Sequence, residues 1–435
     1  MAVVRAPLPW AEPLDVASGL RARSWPVSLI AGAGRPQDHG GRFSYVACDP
    51  DRQLVLDRAD DVFRTLEQPD WAGAPAVGLV SYDAGARQAT GERDAVWPDL
   101  VLGRYPAWLV FDHRLSRVEA SGWGADTAEA EAQVKRAEGW LALRCRAEAP
   151  PAPSLDFTEC RAGSDYRAAV AAVVDRIGQG ELFQANIARE WCGTLKAGAD
   201  PYDVFLRLAG QRGAAYSACW LADGHALVSN SPELFLTYSP RLRRLEARPI
   251  KGTRPRGDTP QEDLALAREL EASAKDRAEN LMIVDLMRND LSRVCEAGTV
   301  VVEQLCGLES FATVHHLTSV VSGRVKNGVD WPDILRQTFP AGSITGAPKH
   351  RAMQVIADYE APRGAWCGSL FVQGMAADDT ITASVLIRSA SFQLTEGQWH
   401  WRAMAGAGIT ADSQPAEELA ETDAKIRALR DALYL

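Results

Sequence analysis

The chain has 435 residues, enough for two domains or one large composite one. Apolar residues make up 46% and charged residues 24%, the balance of a soluble globular protein with a substantial core. A net charge of −10 without a long basic run argues against nucleic acid or an anionic membrane surface as partner. No apolar run approaches the roughly 18 residues of a membrane span. Met1–Trp10 has no apolar stretch of the signal-peptide kind. The eight cysteines are scattered without a CxxC pair, which points to thiols in a reduced cytoplasm rather than a zinc cage.

From the start to about residue 145, strands and helices alternate in a tryptophan-rich region, where core packing is the simplest use of the indoles. Val77–Tyr82 and Ala107–Phe111 read as buried strands. The Ala- and Glu-rich run 126–146 reads as a helix. Ala149-Pro-Pro-Ala-Pro153 is stiff and divides an N-terminal region (1–150) from a second one (155–435). There, Ser164 can cap a helix ending at Gly178 and Gly180, and Leu182–Arg189 alternates as a strand. Asp200-Pro201 opens a further helix.

Strands follow at Tyr216–Trp220 and Ala226–Ser229. Thr259-Pro-Gln-Glu262 is a capping box for one long helical segment running toward Val294. Val300–Gln304 and Val320–Val325 return to strand, and a glycine-rich loop (341–349) feeds a helix. Segments 369–374 and 380–389 pair as a hairpin, 399–404 leads into a turn at Gly406-Ala-Gly408, and a final helix starts near Pro415. Strands dominate and helices interrupt singly, so the fold class is α+β with mainly antiparallel sheets.

Several groupings carry chemistry. Lys251 stands in Arg248-Pro-Ile-Lys-Gly-Thr-Arg-Pro-Arg256, with three arginines within five residues. Their field, together with burial, would favour a neutral amine able to act as a nucleophile; a solvated basic turn is the other reading. Asp276 with Glu279, and Glu418 with Glu421, each lie three apart on a helix face. If the two faces meet, four carboxylates converge on an oxygen-only site of the kind magnesium takes; solvated surface acids are the alternative. Gly342–Gly346 and Gly406–Gly408 allow backbone to approach an anion. Lys349 follows a proline, so the first of these is no Walker loop. Arg388 ends an apolar, strand-like run, and His316 is either a donor to a departing oxygen or a core histidine.

Taken together, Glu181-Leu-Phe-Gln-Ala-Asn186, Ser231-Pro-Glu233, Pro249-Ile-Lys-Gly-Thr253, Asp285–Asp290, Gly342–Lys349, Gly406–Ile409 and Glu418-Leu-Ala-Glu421 resemble the chorismate-utilising enzymes over about residues 160–430. The resemblance implies a composite α/β sandwich and a magnesium-dependent site for chorismate. Glu279 and Glu421 would hold the metal, with Asp276 and Glu418 reaching it through water. Arg388, the Gly406-Ala407-Gly408 backbone and Lys425 would bind carboxylates. Gly252, Thr253, Ser343 and Trp366 would line the pocket, with Trp366 standing where relatives often have tyrosine.

Lys251 would attack C2 of the ring, with Glu233 as acid and His316 near the departing hydroxyl. Ammonia would then reach C4, giving 4-amino-4-deoxychorismate. Gln184 stands where water-activating relatives have lysine, which argues against water as the nucleophile. No glutaminase segment is evident, so ammonia would come from a separate glutamine amidotransferase subunit or from free ammonium. Two alternatives are amination at C2, as in anthranilate synthase component I, and a non-catalytic sensing subunit.

Overall fold

The computed structural model describes residues 1–32, 42–311, 314–376 and 378–435, except the side chains of Gln211 and Arg212. Two antiparallel sheets, of 12 and 10 strands, lie face to face. Between them packs a cluster drawn from both, including Val27, Trp108, Trp220 and Leu227 from one sheet and Val77, Leu79, Val101 and Leu370 from the other. Helices Thr127–Trp140, Pro201–Arg212 and Pro415–Leu433 cover the outer face of the larger sheet. Helices Ala274–Val294 and Trp331–Thr338 cover that of the smaller. Helix–sheet–sheet–helix layering is the composite sandwich expected from the resemblance.

Strands from either side of residues 149–153 are joined within both sheets. In the larger, Val27–Ile30 pairs with Tyr216–Ala222; in the smaller, Ala76–Val80 pairs with Ser369–Gln373. The tryptophans are used for packing. Trp108 and Trp220 are fully buried, and their indole N–H groups donate to the Met375 carbonyl (3.1 Å) and the Tyr105 hydroxyl (2.8 Å).

Four sequence expectations change. The segment from Thr259 to Val294 is two helices, Pro260–Ala272 and Ala274–Val294, because Ser273 leaves helical conformation and its hydroxyl accepts from Asp276 N. Gly406–Gly408 is not a turn but lies inside the strand Gln398–Ile409, paired with Ala188–Asn186. Ser164 sits within the helix Gly163–Gly178 rather than capping it. The strand that was to carry Arg388 stops at Val385, and the chain crosses from the smaller sheet to the larger before Ser389–Thr395.

Candidate active site

The strand Ile250–Pro255 pairs with Val314–Arg324, and the register slips between Lys251 and Thr253. Gly252 takes φ = 83° at this bulge, which glycine adopts freely and side-chain-bearing residues adopt only at a cost. A Cβ there would stand 3.0 Å from Cγ of Asp276 and 2.9 Å from Cδ1 of Leu270. The bulge turns Lys251 toward the glycine-bearing strand Gln398–Ile409, where a Cβ on Gly408 would be 3.6 Å from Nζ.

The supposed cationic field around Lys251 is absent. Arg248 pairs with Glu309 (2.6 Å), Arg254 with Glu269 (2.7 Å) and Arg256 with Asp263 (2.6 Å), so each arginine is neutralised by its own partner. The charges facing Lys251 are carboxylates instead: Glu233, Glu279 and Glu421 all feel its cation.

Carboxylates of the two acidic helices lie near enough for Glu279 and Glu421 to repel each other. Burial raises the Glu279 carboxyl; Lys251 and Lys275 pull it down, while Asp276 and Glu421 push it up. Glu418 is buried and raised by that burial, with Ser413 donating to it and Glu421 repelling it. Burial also pushes Glu421 up, but Lys425, Lys251 and Lys275 outweigh it and hold the carboxyl below its ordinary value. Lys425 sits 2.5 Å from Glu421 and donates to the Gly406 carbonyl at 2.9 Å, so it spans the helix and the glycine strand. Asp276 takes a longer contact from Arg254, at 3.4 Å.

Among the described residues no three acidic, histidine or cysteine side chains close into a metal cage. Lysines lie among the four carboxylates and offset their repulsion. The all-oxygen donor set nonetheless fits a hard divalent cation such as magnesium.

Glu233 is 6% exposed, and burial raises its carboxyl. The Ser343 hydroxyl donates to it, and Lys251, Lys425 and Arg388 partly restore its acidity. Arg388 sits at the crossing between the sheets with φ = 51°; burial lowers its pKa, and Glu233 is the anion it feels. Among the described residues it has no ion-pair partner within 4.0 Å, which leaves its fork of donors for a ligand. The His316 ring shares a 2.9 Å hydrogen bond with the Thr253 hydroxyl. Burial first, then repulsion by Arg388, lowers its pKa to about 4, so the ring is neutral at pH 7.

Gly406 and Gly408 face the same side of their sheet as Gln184 and Asn186 across the pairing. A Cβ on Gly406 would fall 2.5 Å from Asn186 Oδ1 and 3.1 Å from the Trp366 ring, and one on Gly408 2.6 Å from Gln184 Nε2. Ala407 points the opposite way, into the core beneath helix Lys349–Tyr359, and offers the site only backbone. Both amide atoms of Gln184, Asn186 Oδ1 and Trp366 Nε1 are buried without a partner. Buried polar atoms are normally satisfied, so this wall is arranged for a polar ligand.

Sequence reasoning missed two contributors. Lys275 lies among the carboxylates, and its i,i+4 spacing from Glu279 was a readable signal. Arg363, fully buried, donates to the Asn186 carbonyl (2.6 Å), the Ile344 carbonyl (3.0 Å) and Glu360 (2.8 Å), and stacks over Trp366. It holds together three parts of the wall, and nothing local in the sequence announced it.

A separate cavity of about 770 Å³ is lined by Tyr45, Tyr216, Ser217 and Arg241 among others.

The family model for chorismate binding enzymes matches residues 35–431, which takes in every side chain of this site. The chain belongs to the chorismate binding enzymes. It is 38% identical to aminodeoxychorismate synthase component 1 of Klebsiella aerogenes over 363 residues, covering 81% of this chain and 76% of that one. It is 42% identical to anthranilate synthase component 1 of Streptomyces coelicolor over 266 residues, 61% of this chain and 50% of that one. Anthranilate synthase component I from Streptococcus pneumoniae superposes with a TM-score of 0.75 at 25% identity, covering 89% of this chain and 92% of that structure.

Proposed function

We propose that this chorismate binding enzyme is an aminodeoxychorismate synthase component 1, which replaces the 4-hydroxyl of chorismate by an amino group. The reading rests on one observation above the rest: Lys251 projects from a glycine bulge toward the Gly408 strand and the acids Glu233, Glu279 and Glu421.

Lys251 first passes its proton to one of the carboxylates that face it; the free amine attacks C2, the ring double bond shifts, and the C4–O bond breaks as Glu233 delivers a proton, releasing water. Burial keeps that proton on Glu233 more firmly than on an exposed glutamate. Neutral His316, steadied by Thr253, has one N–H to offer the departing oxygen. Ammonia then attacks C4, the double bond shifts back, and the C2–N bond to Lys251 breaks. Arg388 and the backbone around Gly406 orient the substrate carboxylates. Gln184, an amide, cannot deprotonate water, which leaves ammonia as the nucleophile. Asp276, Glu279, Glu418 and Glu421 would hold magnesium, which when bound neutralises substrate carboxylate charge and polarises the ring. The ammonia would come from a separate glutamine amidotransferase subunit.

The test is product identity. Purified chain with chorismate, magnesium and ammonium is expected to yield 4-amino-4-deoxychorismate, while glutamine is expected to serve only once an amidotransferase partner is added. Lys251→Ala is expected to lower turnover by at least ~100-fold and to abolish the ring adduct seen by intact mass after acid quench. Anthranilate as the main product would reverse the reading in favour of C2 amination, which the Streptomyces coelicolor likeness favours.

A further inference from the structure

Away from the candidate active site, segment 154–160 runs antiparallel along the strand Gln184–Thr194. Leu155 N donates to Thr194 O (2.8 Å), Cys192 is paired with Thr158, and Cys160 N donates to Glu190 O (2.9 Å). This register places the side chains of Cys160 and Cys192 together, their sulfurs 2.8 Å apart, with Cys160 exposed and Cys192 half-buried. A disulfide bond is about 2.05 Å long, so less than an ångström of closure separates these thiols from one. Cys160 lies just beyond the two-residue strand Thr158–Glu159, at the sheet margin, where that movement is cheap.

We propose that Cys160 and Cys192 are a modification site: a dithiol that small-molecule disulfides convert to a disulfide. Burial and Cys192 push the Cys160 thiol up, so it reacts through a minor thiolate: once its proton is lost to solvent, that thiolate attacks one sulfur of oxidised glutathione, forming a mixed disulfide and releasing one glutathione thiolate. Cys192 then gives up its proton and attacks the Cys160 sulfur, expelling the second glutathione. Two protein thiols are oxidised and one glutathione disulfide is reduced to two thiols. The bond fastens segment 154–160 to the strand whose opposite end bears Gln184 and Asn186. Next to Cys160, Glu159 accepts from Arg189 (2.7 Å), which also donates to Thr422 (2.9 Å) and Asp423 (2.6 Å) beside Glu421. The bond would therefore stiffen the brace behind the acidic face of helix Pro415–Leu433.

Cys145 is exposed and stands among the cysteines without such a neighbour, so it is an internal control. The folded chain is incubated with excess oxidised glutathione, alkylated and digested for peptide mass analysis. Expected are a Cys160–Cys192 cross-linked peptide, a persistent glutathione adduct on Cys145, and a rise in Tm that dithiothreitol reverses. In Cys192→Ser, Cys160 is expected to retain glutathione. A wild-type chain in which Cys160 keeps its glutathione, or in which neither cysteine reacts while Cys145 does, overturns the proposal. None of these readouts depends on the reaction the enzyme catalyses.

Discussion

His316 shows how burial assigns a role that residue type leaves open. A histidine near pH 7 can be cation or neutral donor, but this ring is 3% exposed, next to Arg388, and its pKa falls to about 4. The unfolded chain takes up the proton first, at about 6.5. Stability from this group is therefore complete above pH 6.5 and declines as pH falls from there toward 4, by roughly 3 kcal/mol in all. Comparing denaturant unfolding of the native chain and His316→Gln across pH 4–7 isolates it, since the variant lacks that part of the slope. The imidazole resonance of His316 should show no inflection between pH 5 and 8. At Lys251 the same comparison overturned a local argument: three neighbouring arginines suggested a cationic field, but each is neutralised by its own carboxylate.

Between elements, the site depends on a close approach that only glycine allows. The strands Gln184–Thr194 and Gln398–Ile409 bring Gln184 and Asn186 against Gly408 and Gly406. Gly408→Ala places a methyl 2.6 Å from Gln184 Nε2 and 3.6 Å from Lys251 Nζ. The Gln184 amide must move, so the expected outcome is a small loss in Tm with a much larger loss in turnover. Gly406→Ala meets the Ile187 carbonyl at 3.0 Å as well as Asn186. Because backbone yields less readily, it should cost about 1–3 kcal/mol in chemical denaturation. Arg363 is the other joint. Arg363→Met strands Glu360 without its buried cation and frees two carbonyls, an expected loss of about 3–5 kcal/mol by the same measurement.

At the scale of the whole molecule, the two sheets explain why the N-terminal third is needed although the candidate site lies elsewhere in the chain. Removing residues 1–150 would strip Val27–Ile30 from Tyr216–Ala222 and Ala76–Val80 from Ser369–Gln373, and would open the core around Trp220. A fragment beginning at residue 155 is therefore expected to be insoluble or to lack a cooperative melt. A sharp calorimetric transition from that fragment would contradict this account.

Much of the chain was legible locally. The helix opening at Asp200-Pro201, the capping box at Thr259, the helix after Gly346 and the strand at 107–111 follow from residue chemistry within a few positions. The acid pairs at 276/279 and 418/421 were equally plain, because helical spacing places i and i+3 on one face whatever surrounds it. Whether those faces would meet each other or water was not written in their spacing. Neither was the link that Lys425 makes between Glu421 and the Gly406 strand, the crossing at Arg388, or the hub at Arg363. Such contacts join residues as far apart as Asn186 and Arg363, and they are set by sheet register and layer packing. The sequence alone determined the local elements and the chemical kinds of group available. Tertiary structure decided which groups neutralise one another and which are left free for a ligand, because charge and burial depend on neighbours in space.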